Sequence, residues 1–140
     1  MILAAAERYI AFCEAMTPAD LDRLESFCDP DLRFCDPFND VTGLAAYRQV
    51  LAKMFADVGQ PDFAVTGRAV DGDRAYLRWR FTARGPGRGA LRIEGMSEIC
   101  FSAAGLVVSH CDFWDAGLVY EKIPLLRGLL RLVKRRLSVG

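Results

Sequence analysis

Apolar residues recur at steps of four and three at the start of the chain: Ile2, Ala6, Tyr9, Cys13 and Met16, flanked by Leu3, Ile10 and Phe12. That spacing predicts an amphipathic first helix. Thr17-Pro18-Ala19-Asp20 ends it and opens a short second helix, with Thr17 as cap, Pro18 at the first helical position and Leu21, Leu24 and Phe27 as its apolar side. Asp29-Pro30 stops that helix, Leu32 to Cys35 reads as a brief strand, and Asp36-Pro37 turns the chain. Thr42 and Gly43 then introduce a third helix along Leu44, Tyr47, Val50, Leu51, Met54 and Phe55.

From Asp62 the period becomes two. Phe63 to Val70 and Arg74 to Phe81 flank Asp71-Gly72-Asp73 as a hairpin, in which Ala75, Leu77, Trp79 and Phe81 alternate with Arg74, Tyr76, Arg78 and Arg80. A turn is expected at residues 85–89, alternation resumes from Leu91 to Phe101, Ala103-Ala104-Gly105 turns again, and Leu106 to Asp115 is the last strand. Helices first and a meandering antiparallel sheet after them describe an α+β fold with helices on one sheet face. No repeat or linker suggests a second domain, so residues 1–120 are expected to form one domain, with a basic amphipathic helix over 121–140 belonging to it.

Composition narrows the class. A chain of 140 residues with 52% hydrophobic and 26% charged residues suits a single globular core. No apolar run approaches the ~20 residues that span a bilayer. The N-terminus lacks a basic start and meets Glu7 and Arg8 too early for a secretory signal, so a cytoplasmic protein is expected. Five cysteines, Cys13, Cys28, Cys35, Cys100 and Cys111, form no C-x-x-C pair. That argues against a disulfide framework and a zinc site, and no metal is expected.

Net charge is zero but unevenly spread, with six basic residues and one acidic from Glu121 onward. In that tail Pro124 can begin a helix in which Leu126, Leu129, Leu130, Val133 and Leu137 oppose Arg127, Arg131, Lys134, Arg135 and Arg136. Such a helix can lie on an anionic membrane surface, fold back over the domain or pack on a partner subunit. Packing is the favoured expectation, because Gly128 weakens an isolated helix by ~1 kcal/mol and a tertiary contact would offset it. Nucleic acid is not an expected partner, since no aromatics interleave with the basic residues and residues 1–120 are net acidic.

The segment with most chemistry is His110-Cys111-Asp112-Phe113-Trp114, which holds the only histidine of the chain. On a strand, His110, Asp112 and Trp114 share one face, with Cβ atoms about 6.6 Å apart from one to the next. Asp112 is then close enough to accept from the His110 ring and fix its tautomer, leaving His110 as a general base; alternatively Asp112 is itself the base. Cys111 and Phe113 face the other way.

The order of elements and four short motifs resemble the nuclear transport factor 2-like superfamily, which includes ketosteroid isomerases and SnoaL-like polyketide cyclases. The motifs are Arg8-Tyr9, Ala19-Asp20-Leu21-Asp22, Phe34-Cys35-Asp36-Pro37 and Gly105-Leu106-Val107-Val108-Ser109. The resemblance implies a cone of three N-terminal helices on a curved antiparallel sheet, a deep apolar cavity, commonly a homodimer, and no cofactor. In the isomerases a carboxylate base beside a Pro works with an oxyanion hole of a Tyr and a protonated Asp. By that resemblance Asp36 is the base and Tyr9 the oxyanion donor, or Phe12 stands at that position if no gap follows the first helix. Ser97 occupies the place of the protonated Asp, where a hydroxyl is a weaker donor. On the last strand the usually apolar positions carry His110, Asp112 and Trp114.

The implied site therefore joins catalytic candidates Tyr9, Asp36, His110 and Asp112 to ligand-lining candidates Phe12, Phe38, Trp79, Ser97 and Trp114. A one-residue slip in the alignment would turn Arg78 and Arg80 inward instead of Trp79. The implied activity is cofactor-independent acid-base proton transfer on a small, mostly apolar carbonyl compound, of isomerase or cyclase type. The alternative is a non-catalytic module that binds a hydrophobic ligand or acts through dimer contacts.

Overall fold

A computed structural model describes residues 1–84 and 89–140. The turn expected at 85–89 lies, apart from Gly89, outside those residues. Helix α1, Ile2–Ala15, buries Ala6, Tyr9, Ile10 and Phe12 of the expected stripe together with Ala5, while Ile2 and Cys13 are half-buried and Leu3 is exposed. The second expected helix winds as a 3-10 helix over Pro18–Ser26. Its apolar residues explain the difference: Leu21, Leu24 and Phe27 recur every three residues, which lines them up on a three-per-turn helix. The Asp20 carboxylate accepts from the Thr17 backbone N–H at 2.8 Å and from its hydroxyl at 3.0 Å, which closes the cap.

Strand β1, Cys28–Cys35, starts four residues before the expected brief strand, and a short strand β2, Asp40–Thr42, returns beside it. Helix α2 spans Leu44–Val58 and buries Tyr47 and Phe55. Strands β3, Asp62–Asp71, β4, Arg74–Arg84, β5, Ala90–Phe101, and β6, Val107–Phe113, complete a sheet in the order β2-β1-β6-β5-β4-β3. All neighbours are antiparallel except β1 and β6, which run parallel. The α+β class holds, with two α-helices and one 3-10 helix on the sheet where three helices were expected, and one parallel pair in a sheet expected to be antiparallel. That pair joins the two ends of the fold, so no local pattern announces it.

Alternation sets the faces. On β4, Ala75, Leu77, Trp79 and Ala83 are buried while Arg74, Arg78, Arg80 and Arg84 are exposed, so Trp79 points inward. The arginines stay outside, where Arg80 pairs with Glu94 at 3.3 Å. On β5 the inward row includes Ile93, Gly95, Ser97, Ile99 and Phe101. Gly95 stands opposite Trp79 in the ladder, and a Cβ built there would lie 2.6 Å from the indole Cη2 and Cζ2. The missing side chain is what lets the indole lie across β5. Tyr9, Tyr47, Ile10, Leu24, Leu32, Ile99 and Val107 are the most deeply buried large side chains, between the helices and the inner face of the sheet.

Of the two kinds of packing expected for the tail, folding back over the domain is not the one observed. Helix α3, Gly117–Tyr120, leads into α4, Pro124–Leu137, and no residue of α4 is buried. Lys134 pairs with Glu121 at the end of α3, so a charged edge of α4 turns toward the domain and most of its leucines point away.

Candidate functional site

Parallel pairing of β6 with β1 and antiparallel pairing with β5 place His110 between Phe34 and Ile99, at the centre of the inner face. One residue pair further along β6, Asp112 faces Ser97 in register. The strand period thus delivers His110 and Asp112 to one face, and the ladder supplies Ser97 beside them. Tyr9 comes down from α1 and Tyr47 from α2.

These side chains form one continuous chain of hydrogen bonds. Tyr47 OH lies 2.9 Å from Tyr9 OH, and Tyr9 OH lies 2.7 Å from His110 Nδ1. His110 Nε2 lies 2.7 Å from Asp112 Oδ1. From the other side the Trp79 indole N–H donates to Ser97 Oγ at 2.8 Å, and the Ser97 hydroxyl donates to the same Asp112 Oδ1 at 2.5 Å. Among the described residues, Asp112 Oδ2 has no hydrogen-bond partner.

Donor inventory fixes the direction of the Trp79 arm. An indole nitrogen only donates, and a carboxylate only accepts, so the Trp79–Ser97 arm runs toward Asp112. Beside an ionised Asp112, His110 Nε2 must carry a proton. In the neutral tautomer this leaves Nδ1 as an acceptor, with Tyr9 donating to it and Tyr47 donating to Tyr9. Burial first, and then the neighbouring Cys13 and Tyr47, raise the Tyr9 phenol well above its usual range. Burial, followed by Cys13 and Cys28, raises Tyr47 in the same way. Both phenols therefore remain protonated near neutral pH and act as donors.

Burial grades along the chain. Tyr9 and Tyr47 are 1% exposed, whereas the Asp112 side chain retains 20%. Both His110 ring nitrogens are occupied, so the group open to a reacting molecule is the Asp112 carboxylate. The His110 ring is packed against Phe34 at 5.3 Å and edge-on to Tyr9 at 5.7 Å between centroids, which restrains its rotation.

The other candidates lie elsewhere. Asp36 closes its own turn: Oδ1 accepts from the backbone N–H of Phe38 at 2.8 Å and of Asn39 at 2.7 Å. Among the described residues no hydrogen bond ties it to the chain ending at Asp112. Phe12 stacks on Phe27 at 4.1 Å, between α1 and the 3-10 helix, and it is Tyr9 that reaches His110. Phe38 is half exposed and sits edge-on to Trp114 at 5.4 Å and to Tyr120 at 5.9 Å. A groove of about 580 Å³ lies between the start of β5 and α3–α4, lined by residues including Leu91, Arg92, Leu118 and Lys122. None of the hydrogen-bonded residues lines it. Tyr47 was not a sequence candidate; its signal was a phenol on the apolar stripe of α2, where the hydroxyl needs a buried partner.

Among the described residues no group of His, Cys, Asp and Glu is placed to hold a metal ion. No helix of the described chain is long and apolar enough to cross a membrane.

Known proteins share this architecture. A SnoaL-like polyketide cyclase candidate from Jannaschia sp. CCS1 superimposes with a TM-score of 0.76 at 17% identity, covering 87% of this chain and 90% of that one. A protein with a ketosteroid isomerase-like fold from Catenulispora acidiphila, crystallised with trimethylamine, gives 0.70 at 14% identity over 86% and 90%. An LEH-like epoxide hydrolase from M. tuberculosis gives 0.67 at 19% identity over 94% of both chains. At these identities the likeness is one of fold. No curated protein sequence matches the chain. The model of the SnoaL-like domain matches residues 9–110, from the Tyr9 that donates into the hydrogen-bonded chain to the His110 that receives it, and the protein belongs to the SnoaL-like family.

Proposed function

We propose that this protein is a cofactor-independent proton-transfer enzyme of isomerase or cyclase type, acting on a small, mostly apolar carbonyl compound, with Asp112 as its general base. The observation that carries this reading is the convergence of two donor arms on Asp112 Oδ1 while, among the described residues, Oδ2 is left without a partner. A base needs a lone pair aimed at substrate and a scaffold that holds it still. Here His110 and Ser97 hold one oxygen, and the other is available at the partly exposed edge. With both ring nitrogens engaged, His110 positions the carboxylate, and Tyr9 fixes the His110 tautomer. This role for Tyr9 differs from an oxyanion donor, because its hydroxyl is already committed to His110.

In the proposed step a C–H bond next to the carbonyl breaks, its proton goes to Asp112 Oδ2, and the electron pair forms the enolate. The same carboxyl returns the proton at another carbon or at the same one. The Ser97 hydroxyl and the His110 N–H stay on Oδ1 throughout. Acid-base catalysis of this kind contributes about 10²–10⁴ in rate.

Exchange of α-hydrogens in D₂O tests the reading, with 2-tetralone as a generic enolisable ketone and mass spectrometry as readout. The wild-type chain is expected to exchange faster than buffer, Asp112→Asn to fall to the buffer rate, and Asp36→Asn to stay near wild type. Full exchange by Asp112→Asn removes the assignment. The deep burial of Tyr9 and Tyr47 also suits a second reading, a non-catalytic ligand-binding module in which the chain of hydrogen bonds only specifies the core. Saturable binding of 2-tetralone without exchange in any variant would favour it.

A further inference from the structure

Helix α4 turns the wrong side outward for a helix that belongs to a domain surface. At 100° per residue its apolar side chains, Leu125, Leu126, Leu129, Leu130, Leu132, Val133 and Leu137, fill an arc of about 160°, and Arg127, Arg131, Lys134 and Arg135 fill an arc of about 100° opposite. Exposure is 87% at Leu125, 58% at Leu129 and 53% at Leu132, and falls through 46% at Val133 and 37% at Leu126 to partial burial at Leu130, so one edge of the apolar arc leans on the domain and the rest looks away from it. Lys134, at the border of the basic arc, is held to Glu121. The leucines are thus displayed in a row on the outside, bordered by Lys134 along one edge and Arg135 along the other.

We infer that α4 docks flat on an anionic phospholipid surface. Three features select that occupant. After Glu121 the tail holds no acidic residue, so its charge is complementary to lipid phosphates and is repelled by its own copy in a symmetric helix pair. Apart from Arg136, the apolar arc is made only of Leu and Val, with no aromatic or small residue to fit a shaped groove, which suits fluid acyl chains. Fourteen helical residues extend about 21 Å, too short to cross a hydrocarbon core of about 30 Å and long enough to lie in its interface. Leu125, Leu129 and Leu132 would enter the acyl boundary, with Arg131 and Arg135 at headgroup depth. Arg136, in the last turn and within the apolar arc, would extend its stem along the surface to the headgroups.

Flotation of the full chain with vesicles tests this. On vesicles of phosphatidylcholine and phosphatidylglycerol in equal parts the chain is expected to float, with binding about tenfold or more above that on phosphatidylcholine alone and reduced by high salt. Leu129→Glu/Val133→Glu should abolish flotation while leaving the thermal midpoint unchanged, since both side chains are exposed. Arg131→Gln/Arg135→Gln, which alters no apolar position, should weaken anionic binding about tenfold or more. Absence of flotation, equal binding to both vesicle types, or full binding by either variant overturns the inference. So does a wild-type dimer in sedimentation velocity that Leu129→Glu/Val133→Glu dissociates, because a second copy would then cover the face.

Discussion

Replacing Tyr9 by Phe removes the hydroxyl that gives to His110 and receives from Tyr47. His110 Nδ1 loses its donor and the Tyr47 hydroxyl loses its acceptor, both inside the core. Stranding buried polar groups costs about 1–3 kcal/mol each, and partial relaxation brings the sum to about 2–4 kcal/mol. Tyr47→Phe removes only the terminal donor. Tyr9 still donates to His110, nothing is stranded, and the cost is about 1 kcal/mol. For a chain of this size about 3 °C accompanies each kcal/mol, so thermal midpoints should fall by about 6–12 °C and about 3 °C respectively. The double variant should be no worse than Tyr9→Phe alone, because removing the Tyr47 hydroxyl relieves a donor already stranded. Circular dichroism melts of the three variants against wild type read all of this. Were the bonds to run the other way, from His110 Nδ1–H through Tyr9 to Tyr47, Tyr47→Phe would strand the Tyr9 O–H. Equal losses for the two single variants would therefore refute the assigned direction.

Further outcomes follow from other parts of the structure. Gly95→Ala puts a Cβ against the Trp79 indole at 2.6 Å, so the ring must shift and break its bond to Ser97; urea melts should show a loss of about 1–3 kcal/mol. Burial, followed by the hydrogen bond and charge of Cys111, pushes the Cys35 thiol up to about 11. Iodoacetamide should then label Cys35 over a hundredfold more slowly near pH 8 than a free thiol of pKa about 8.5, with the rate climbing about tenfold per pH unit until about pH 11. The Thr17 backbone N–H, the Thr17 hydroxyl and then Arg23 hold the Asp20 carboxyl below its usual range. Its stabilising contribution is complete above the unfolded carboxyl pKa and is lost as pH falls through the lower folded value, so melts of wild type and Asp20→Ala should converge at the acid end.

The fold was legible wherever contacts are local. Helical stripes marked α1 and α2, and alternation marked β3 to β6 and put His110 and Asp112 on one face, because a strand repeats every two residues whatever it packs against, whereas β6 ends at Phe113, before the Trp114 expected to share that face. The parallel pairing of β1 with β6 was hidden, since its partners lie more than seventy residues apart, as Cys35 and Cys111 do. Strand β2, three residues long, carries no period to read. At the site, Tyr9 and Ser97 entered through family resemblance and proved to touch the His110-Asp112 pair. Tyr47 stayed hidden because its hydroxyl has meaning only against α1. Asp36 followed its local chemistry, an Asp before Pro that folds onto its own turn. The composition of α4 was plain in the sequence, but the side it presents depends on how α3 hands the chain on.

Nitrogen-15 NMR of the imidazole reads the central arrangement most directly, since His110 is the only histidine and its signals need no assignment. At neutral pH the expected spectrum is that of a neutral ring protonated at Nε2, with Nδ1 as the bare acceptor of Tyr9, unchanged in Tyr47→Phe. A neutral ring protonated at Nδ1 and bare at Nε2 would contradict it, because His110 would then donate to Tyr9 and no longer to Asp112.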